Sequence, residues 1–192
     1  MYKRQGFSYD GGYAEYMIAP VEAVARMPES LDAADAAPLL CAGITTFNAL
    51  RHSGAVPSDL VAIQGIGGLG HLAIQFAQKF GYQVAAVGRG LESAGLARKL
   101  GANVYIDSAA TNAAAELQKL GGARVILATA PSAKAMSSLI DGLAANGRMM
   151  VIGVSADPIE VTPVQLILGN RSLQGWASGT PPTRKIRCAS PS

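Results

Sequence analysis

Six residues carry the clearest chemical signal in this 192-residue sequence: Gly65-Ile66-Gly67-Gly68-Leu69-Gly70. They fit the pattern G-x-G-x-x-G, which is weak alone and gains meaning only between a strand and a helix. In front of it, Val61-Ala62-Ile63 is an apolar run of strand length. Behind it, His71 to Phe80 reads as a helix with Leu72, Ile74, Phe76 and Ala77 inward and Gly81 as its stop. In that setting Gly65 permits a tight turn, Gly67 lets the backbone approach a pyrophosphate, and Gly70 allows close helix–strand packing. The helix start offers unpaired N–H groups and a positive dipole end to phosphates. Gly68 and Leu69 complete the turn. A second strand, Val84 to Val87, follows, so residues 61–90 read as the first βαβ unit of a dinucleotide-binding domain. The alternative is a glycine-rich turn that holds no ligand.

Beyond the second strand lies Val87-Gly88-Arg89-Gly90, with no carboxylate along the chain until Glu92. An acid at this point accepts hydrogen bonds from the adenosine ribose in NAD-type sites. Here Gly88 is expected to leave room, and the planar fork of Arg89 can pair with a 2′-phosphate. The pair therefore favours NADP(H) over NAD(H), with a solvated loop cation as the plain alternative for Arg89. The sequence has two cysteines, Cys41 and Cys188, and two histidines, His52 and His71. They form no CxxC and no spaced ligand set. By spacing alone, Cys41 in its apolar helical stretch reads as a small buried hydrophobe, and both histidines read as helix-end residues.

These groups need a frame, and the rest of the chain supplies one. Helical patterns at Glu92 to Leu100, Asn112 to Leu120 and Lys134 to Leu143 alternate with strands at 104–106, 125–128 and 149–152. A short helical turn at Pro163 to Leu168 leads to a sixth strand at Ser172 to Trp176. This alternation predicts an α/β fold, a doubly wound parallel six-stranded sheet of Rossmann type with order 3-2-1-4-5-6. The first sixty residues differ. Tyr13 to Ala19 and Val24-Ala25-Arg26 are short strand-like runs closed by Pro20 and Pro28, and a helix from about Gly43 to Arg51 leads into Gly54. They read as the tail of one domain and a link into the next.

Composition narrows the function. The hydrophobic share is 49% and the charged share 15%, against about 25% charged in ordinary soluble domains. Such a chain is expected to lean on partner surface. Net charge is +3, but Lys3, Arg4, Arg184, Lys185 and Arg187 sit at the ends. No basic stripe with interleaved aromatics argues for nucleic acid. No apolar run reaches membrane-spanning length, no signal peptide is visible, and the cysteine usage fits a reducing, cytoplasmic setting.

Three further elements join the glycine turn: Gly11-Gly12-Tyr13-Ala14-Glu15-Tyr16, then Pro38-Leu39-Leu40-Cys41-Ala42-Gly43-Ile44-Thr45-Thr46, then Leu100-Gly101-Ala102. Together, and with Gly175-Trp176-Ala177-Ser178-Gly179, they resemble the zinc-dependent alcohol dehydrogenases of the medium-chain dehydrogenase/reductase superfamily, from about Phe7 to Thr180. The resemblance implies hydride transfer between NAD(P) and an alcohol or aldehyde at a catalytic zinc. It places Cys41 as one zinc ligand and Thr45 and Leu69 against the nicotinamide. It implies that Ile152, Gly153 and Val154, with Trp176 and Ser178, flank the carboxamide. It also implies that 6–30 is a remnant of a GroES-like β catalytic domain and that 31–180 is the NAD(P)-binding domain. A second copy is expected to pair along the sixth-strand edge.

One cysteine cannot make a catalytic zinc site, which needs three protein ligands. The other family ligands are expected before residue 1, so the chain is expected to be an inactive fragment that does not retain zinc. Both ends look artificial. Met1 to Gln5 can be written GTG TAT AAG AGA CAG, the end of a transposon adapter, and 181–192 reads as a frameshifted tail. Two rival functions remain: a zinc-free quinone or enoyl reductase of the same superfamily, and a stand-alone nucleotide-binding module.

Overall fold

A computed structural model describes Gly12, residues 14–20, Val24 and residues 27–179. The chain divides into two compact units, one of residues 33–179 and one of residues 1–32 with 180–192. In the second of these, the described residues 14–20 carry no strand, where the alternation over Tyr13 to Ala19 predicts one. Tyr16 and Ile18 are fully solvent-exposed, so no apolar face is buried there to hold a strand. Most of the second expected run, at 24–26, lies outside the described residues, as do both chain ends.

The unit 33–179 opens with α1 (Ala33–Ala36), a 3-10 turn at Ala37–Leu40 and α2 (Ala42–Arg51). Six strands follow: β1 (Leu60–Gln64), β2 (Gln83–Gly88), β3 (Val104–Asp107), β4 (Ala123–Ala128), β5 (Leu143–Val151) and β6 (Ser172–Gly175). Between them run α3 (Gly68–Lys79), α4 (Ala94–Lys99), α5 (Ala113–Lys119), α6 (Ala133–Leu139) and α7 (Pro163–Ile167). The strands form one sheet in the order β3-β2-β1-β4-β5-β6, and every neighbouring pair is parallel. This is the predicted doubly wound sheet.

The strands lack polar alternation because both faces are covered. Val61, Ile63, Val84, Ala86, Val125, Leu127 and Met150 face the side packed by α2 and α3, with Leu50 and Ile74. The alternate residues Ala62, Ala85, Val87, Ile126 and Met149 face the other side, with Leu117, Met136 and Leu139. Each such Leu, Ile or Met contributes about 1.5–3 kcal/mol by leaving water, so burial between the sheet and its covering helices is the main source of stabilisation. Side-chain caps start three of the helices. Asn112 accepts from Ala115 N, Ser132 accepts from Ala135 N, and Thr162 forms a reciprocal capping box with Gln165 behind Pro163.

Most helix and strand ends shift by one to three residues from the expected bounds. Two departures have clear causes. Half-buried Leu72 is replaced on the inner face of α3 by fully buried Ala73, because the sheet lies close to that face. The helix expected to run to Leu143 stops at Leu139, passes through a 3-10 turn at Ile140–Gly142, and gives way to β5. There a Cβ on Gly142 would sit 2.9 Å from Leu117 Cδ1. β5 then carries a bulge, its pairing with β4 jumping from Ala123↔Leu143 to Val125↔Arg148, with Asn146 at φ 58°.

Candidate functional site

All six strands run in one direction, so their C-terminal ends share one edge, and the strand order reverses between β1 and β4. Ligands of open α/β sheets bind at such a reversal. Along this edge the topology sets the glycine turn after β1, Gly88-Arg89 at the end of β2, 152–154 after β5 and Trp176 after β6.

The glycine turn divides its work among its residues. Gly65 adopts φ +90°, where a Cβ would also sit 2.7 Å from Ala130 Cβ. Its N–H donates to Val87 O at 2.9 Å, tying the turn to β2. A Cβ on Gly70 would fall 1.8 Å from Gly65 O, so only glycine lets α3 pass this close to the strand. Gly67 and Gly68 are exposed, and a Cβ on either would meet nothing within 4 Å. That open backbone at the start of a twelve-residue helix has no side-chain cap, and its leading N–H groups are free to hold an anion. The residues present therefore fit a dinucleotide's pyrophosphate. Leu69 is half-buried and packs against the α2–α3 core.

A buttress that the sequence reading missed stands behind the turn. Thr129, just past β4, donates its hydroxyl to Gln64 O at 2.9 Å and Gly65 O at 3.0 Å, and its N–H also donates to Gln64 O. Ala130 N donates to Gln64 Oε1 at 3.3 Å. Gly153 closes over the same place: a Cβ there would lie 2.6 Å from Ala130 O, and Ile152 N and Gly153 N both donate to Ala128 O. Ile152 is buried and Val154 exposed. Nothing local in Ala-Thr-Ala announces this; the contact is between residues 64 positions apart or more.

The turn after β2 corrects one expectation. The space beside Gly88 is not left open. A Cβ there would sit 2.3 Å from the Tyr105 hydroxyl, because the ring from β3 packs over the strand end. Tyr105 donates its hydroxyl to Gly90 O at 2.5 Å. Asp107 Oδ1 accepts from Gly90 N at 2.7 Å and Ala109 N at 2.8 Å. Ser108 donates its hydroxyl to Gly88 O at 2.8 Å. A carboxylate thus does reach the turn, from β3 and not along β2. Arg89 is exposed. Burial pushes the Tyr105 phenol above its ordinary range, and the charges of Asp107 and Glu92 push it further.

Trp176 donates its backbone N–H to Val151 O at 2.9 Å. Its ring stacks on His52 with centroids 4.8 Å apart. His52 caps the C-terminus of α2, its Nδ1 lying 2.8 Å from Asn48 O, so the helix-end expectation agrees with its place. Ser178 sits at φ 53° and Thr45 is half-buried in α2. Cys41 stands exposed at the start of α2, which overturns its reading as a buried hydrophobe. Among the described residues no group of three His, Cys, Asp or Glu side chains could hold a metal ion. The described residues do not by themselves fit a zinc centre.

The family model described as "Zinc-binding dehydrogenase" matches residues 68–190. The chain belongs to the zinc-binding dehydrogenase family. It is 48% identical over 174 residues to an alcohol dehydrogenase, patD, of Penicillium expansum, covering 91% of this chain and 51% of that protein. It is 38% identical over 176 residues to an alcohol dehydrogenase of Geobacillus stearothermophilus, covering 91% of this chain and 52% of that one. Its structure resembles that of the alcohol dehydrogenase of the archaeon Aeropyrum pernix with TM-score 0.83 and 27% identity, covering 92% and 53% of the two chains. This member of the family spans about half the length of the relatives it matches. No single helix among its described residues is long and apolar enough to cross a membrane.

Proposed function

We propose that residues 31–180 form the NAD(P)-binding part of a zinc-dependent alcohol dehydrogenase, one that exchanges hydride between NADP(H) and a small alcohol or aldehyde. The observation that carries this reading is the glycine turn, where Gly65 and Gly70 are sterically required and Gly67 and Gly68 leave open backbone at a helix start. When bound, the nicotinamide supplies the hydride acceptor or donor. This chain's residues bind and orient it: the turn at 65–70 takes the pyrophosphate, and Arg89 takes the 2′-phosphate. Thr45, Leu69, Ile152, Gly153, Val154, Trp176 and Ser178 line the nicotinamide side. The relatives named alcohol dehydrogenases support this over a quinone or enoyl reductase.

Zinc would need Cys41 together with ligands that the described residues do not provide. We therefore assign cofactor binding to the 192-residue chain and expect neither stoichiometric zinc nor alcohol turnover from it alone. Incubation with a primary alcohol, NADP⁺ and zinc checks this. Binding without NADPH formation is expected, and turnover with one bound zinc per chain overturns the assignment. The edge position of β6, beside exposed Val164, Ile167 and Leu168 of the preceding helical turn, supports self-association of copies along that edge. Light scattering is expected to show a dimer or larger species that the double change Ile167→Lys and Leu168→Lys diminishes.

A further inference from the structure

We infer that Tyr105 is a specificity-determining residue for the cofactor's 2′ position: it fills the space beside Gly88 and fixes the turn that carries Arg89. The inference rests on the cofactor-site reading above and deepens it.

Gly88 pairs across the sheet with Asp107. Tyr105 lies two residues before Asp107 on β3, so the two side chains leave the same face of the strand. Both end on Gly90: the Tyr105 hydroxyl donates to its carbonyl, and the Asp107 carboxylate accepts from its N–H. On the other side of Arg89, Ser108 donates both its hydroxyl and its N–H to Gly88 O. Arg89 is thus flanked by two pinned residues, and its exposed guanidinium starts from a fixed Cα. A long cation loses less on binding when its point of attachment is already held.

The same phenol decides what can stand at position 88. A Cβ there would lie 2.3 Å from the hydroxyl and 2.9 Å from Cζ of Tyr105, well inside contact distance. A side chain at 88 and the Tyr105 ring in its present place are mutually exclusive. A carboxylate at the end of this strand is what pairs the ribose hydroxyl in NAD-type sites, so Tyr105 excludes it. The phenol puts no charge of its own there at neutral pH, since a tyrosine ordinarily titrates near pH 10 and burial with Asp107 and Glu92 pushes this one further up. The Asp107 carboxylate, facing two backbone N–H groups, is compensated close to the turn. A neutral, rigid wall beside Arg89 suits a 2′-phosphate.

The test is the ratio of NADPH to NADH affinity, read by titration of the full chain with each dinucleotide. Tyr105→Phe keeps the ring and removes the bond to Gly90 O. It is expected to weaken NADPH roughly three- to tenfold and to leave NADH within about twofold, a split that loss of packing alone would not give. Gly88→Asp is expected to weaken NADPH and fail to improve NADH, whereas Gly88→Asp with Tyr105→Ala binds NADH at least about threefold better than Gly88→Asp alone. An unchanged ratio in Tyr105→Phe, or a Gly88→Asp effect on NADH that is the same with and without the ring, overturns the inference. If the chain prefers NADPH and Arg89→Ala abolishes that preference while Tyr105→Phe does not, only the role of Tyr105 fails. If the unaltered chain binds neither dinucleotide, the cofactor-site reading fails and the role of Tyr105 with it.

Discussion

Two glycines three residues apart, Gly67 and Gly70, show how much a single hydrogen in place of a methyl can mean. Gly67 and Gly70 both belong to the turn after β1, yet their surroundings are opposite. At Gly70 an added Cβ overlaps Gly65 O, and at Gly67 it meets nothing. Gly67 also has φ −91°, which any residue can adopt. Gly70→Ala is therefore expected to cost about 3 kcal/mol or more by forcing α3 off the strand, with a lowered Tm in thermal melts. Gly67→Ala is expected to change stability by no more than about 1 kcal/mol while weakening dinucleotide binding by about tenfold or more. Equal losses of stability in the two variants would show that the turn is only a packing device. The close helix–strand packing at Gly70 could be read from its spacing, because the strand–turn–helix setting constrains it. The reason for Gly88 could not: its neighbour Tyr105 is seventeen positions away, and only the pairing of β2 with β3 brings the two together.

At the scale of elements, the alternation of apolar runs with helical patterns was enough to anticipate six parallel strands and their order, because a strand buried on both faces must be apolar throughout. Ends were less readable. Leu143-Ala144-Ala145 continues a helical apolar pattern, and only close packing of Gly142 on Leu117 turns the chain into β5 earlier than the pattern suggests. The exposed thiol of Cys41 was equally out of reach, since exposure at a helix start depends on what α2 packs against. So was the buttress of β1 by Thr129, whose hydroxyl reaches Gln64 O and Gly65 O. Thr129→Val keeps the volume and removes that donor, leaving Gly65 O without it. A loss of about 1–3 kcal/mol is expected in denaturant unfolding, together with weaker cofactor binding because the turn it supports is loosened. A variant as stable as the original would remove Thr129 from the support of the site.

For the whole molecule, the unit 33–179 contains a complete doubly wound sheet, while the chain as given spans about half of its relatives. The proposed cofactor site lies along the sheet's C-terminal edge, and the three ligands that a catalytic zinc needs are not found among the described residues. Stability should also carry a signature of buried phenols. Tyr82 is raised above 10.0 by burial and then by Asp59, and Tyr105 by burial and then by Asp107 and Glu92. A raised phenol keeps its proton longer in the folded state, so its contribution is full below about pH 10 and is lost as pH rises through the folded value. Tm is expected to fall with alkalinity from about pH 10 upward, and to fall less steeply in Tyr82→Phe. An identical alkaline slope in that variant would contradict the assignment. One binding experiment decides whether this edge of the sheet holds a nicotinamide dinucleotide. Titration of the folded 192-residue chain with NADPH and NADH, followed by nicotinamide fluorescence, is predicted to show saturable binding of both with NADPH the tighter, and loss of that preference in Arg89→Ala. A chain that is folded by circular dichroism yet binds neither dinucleotide would contradict it.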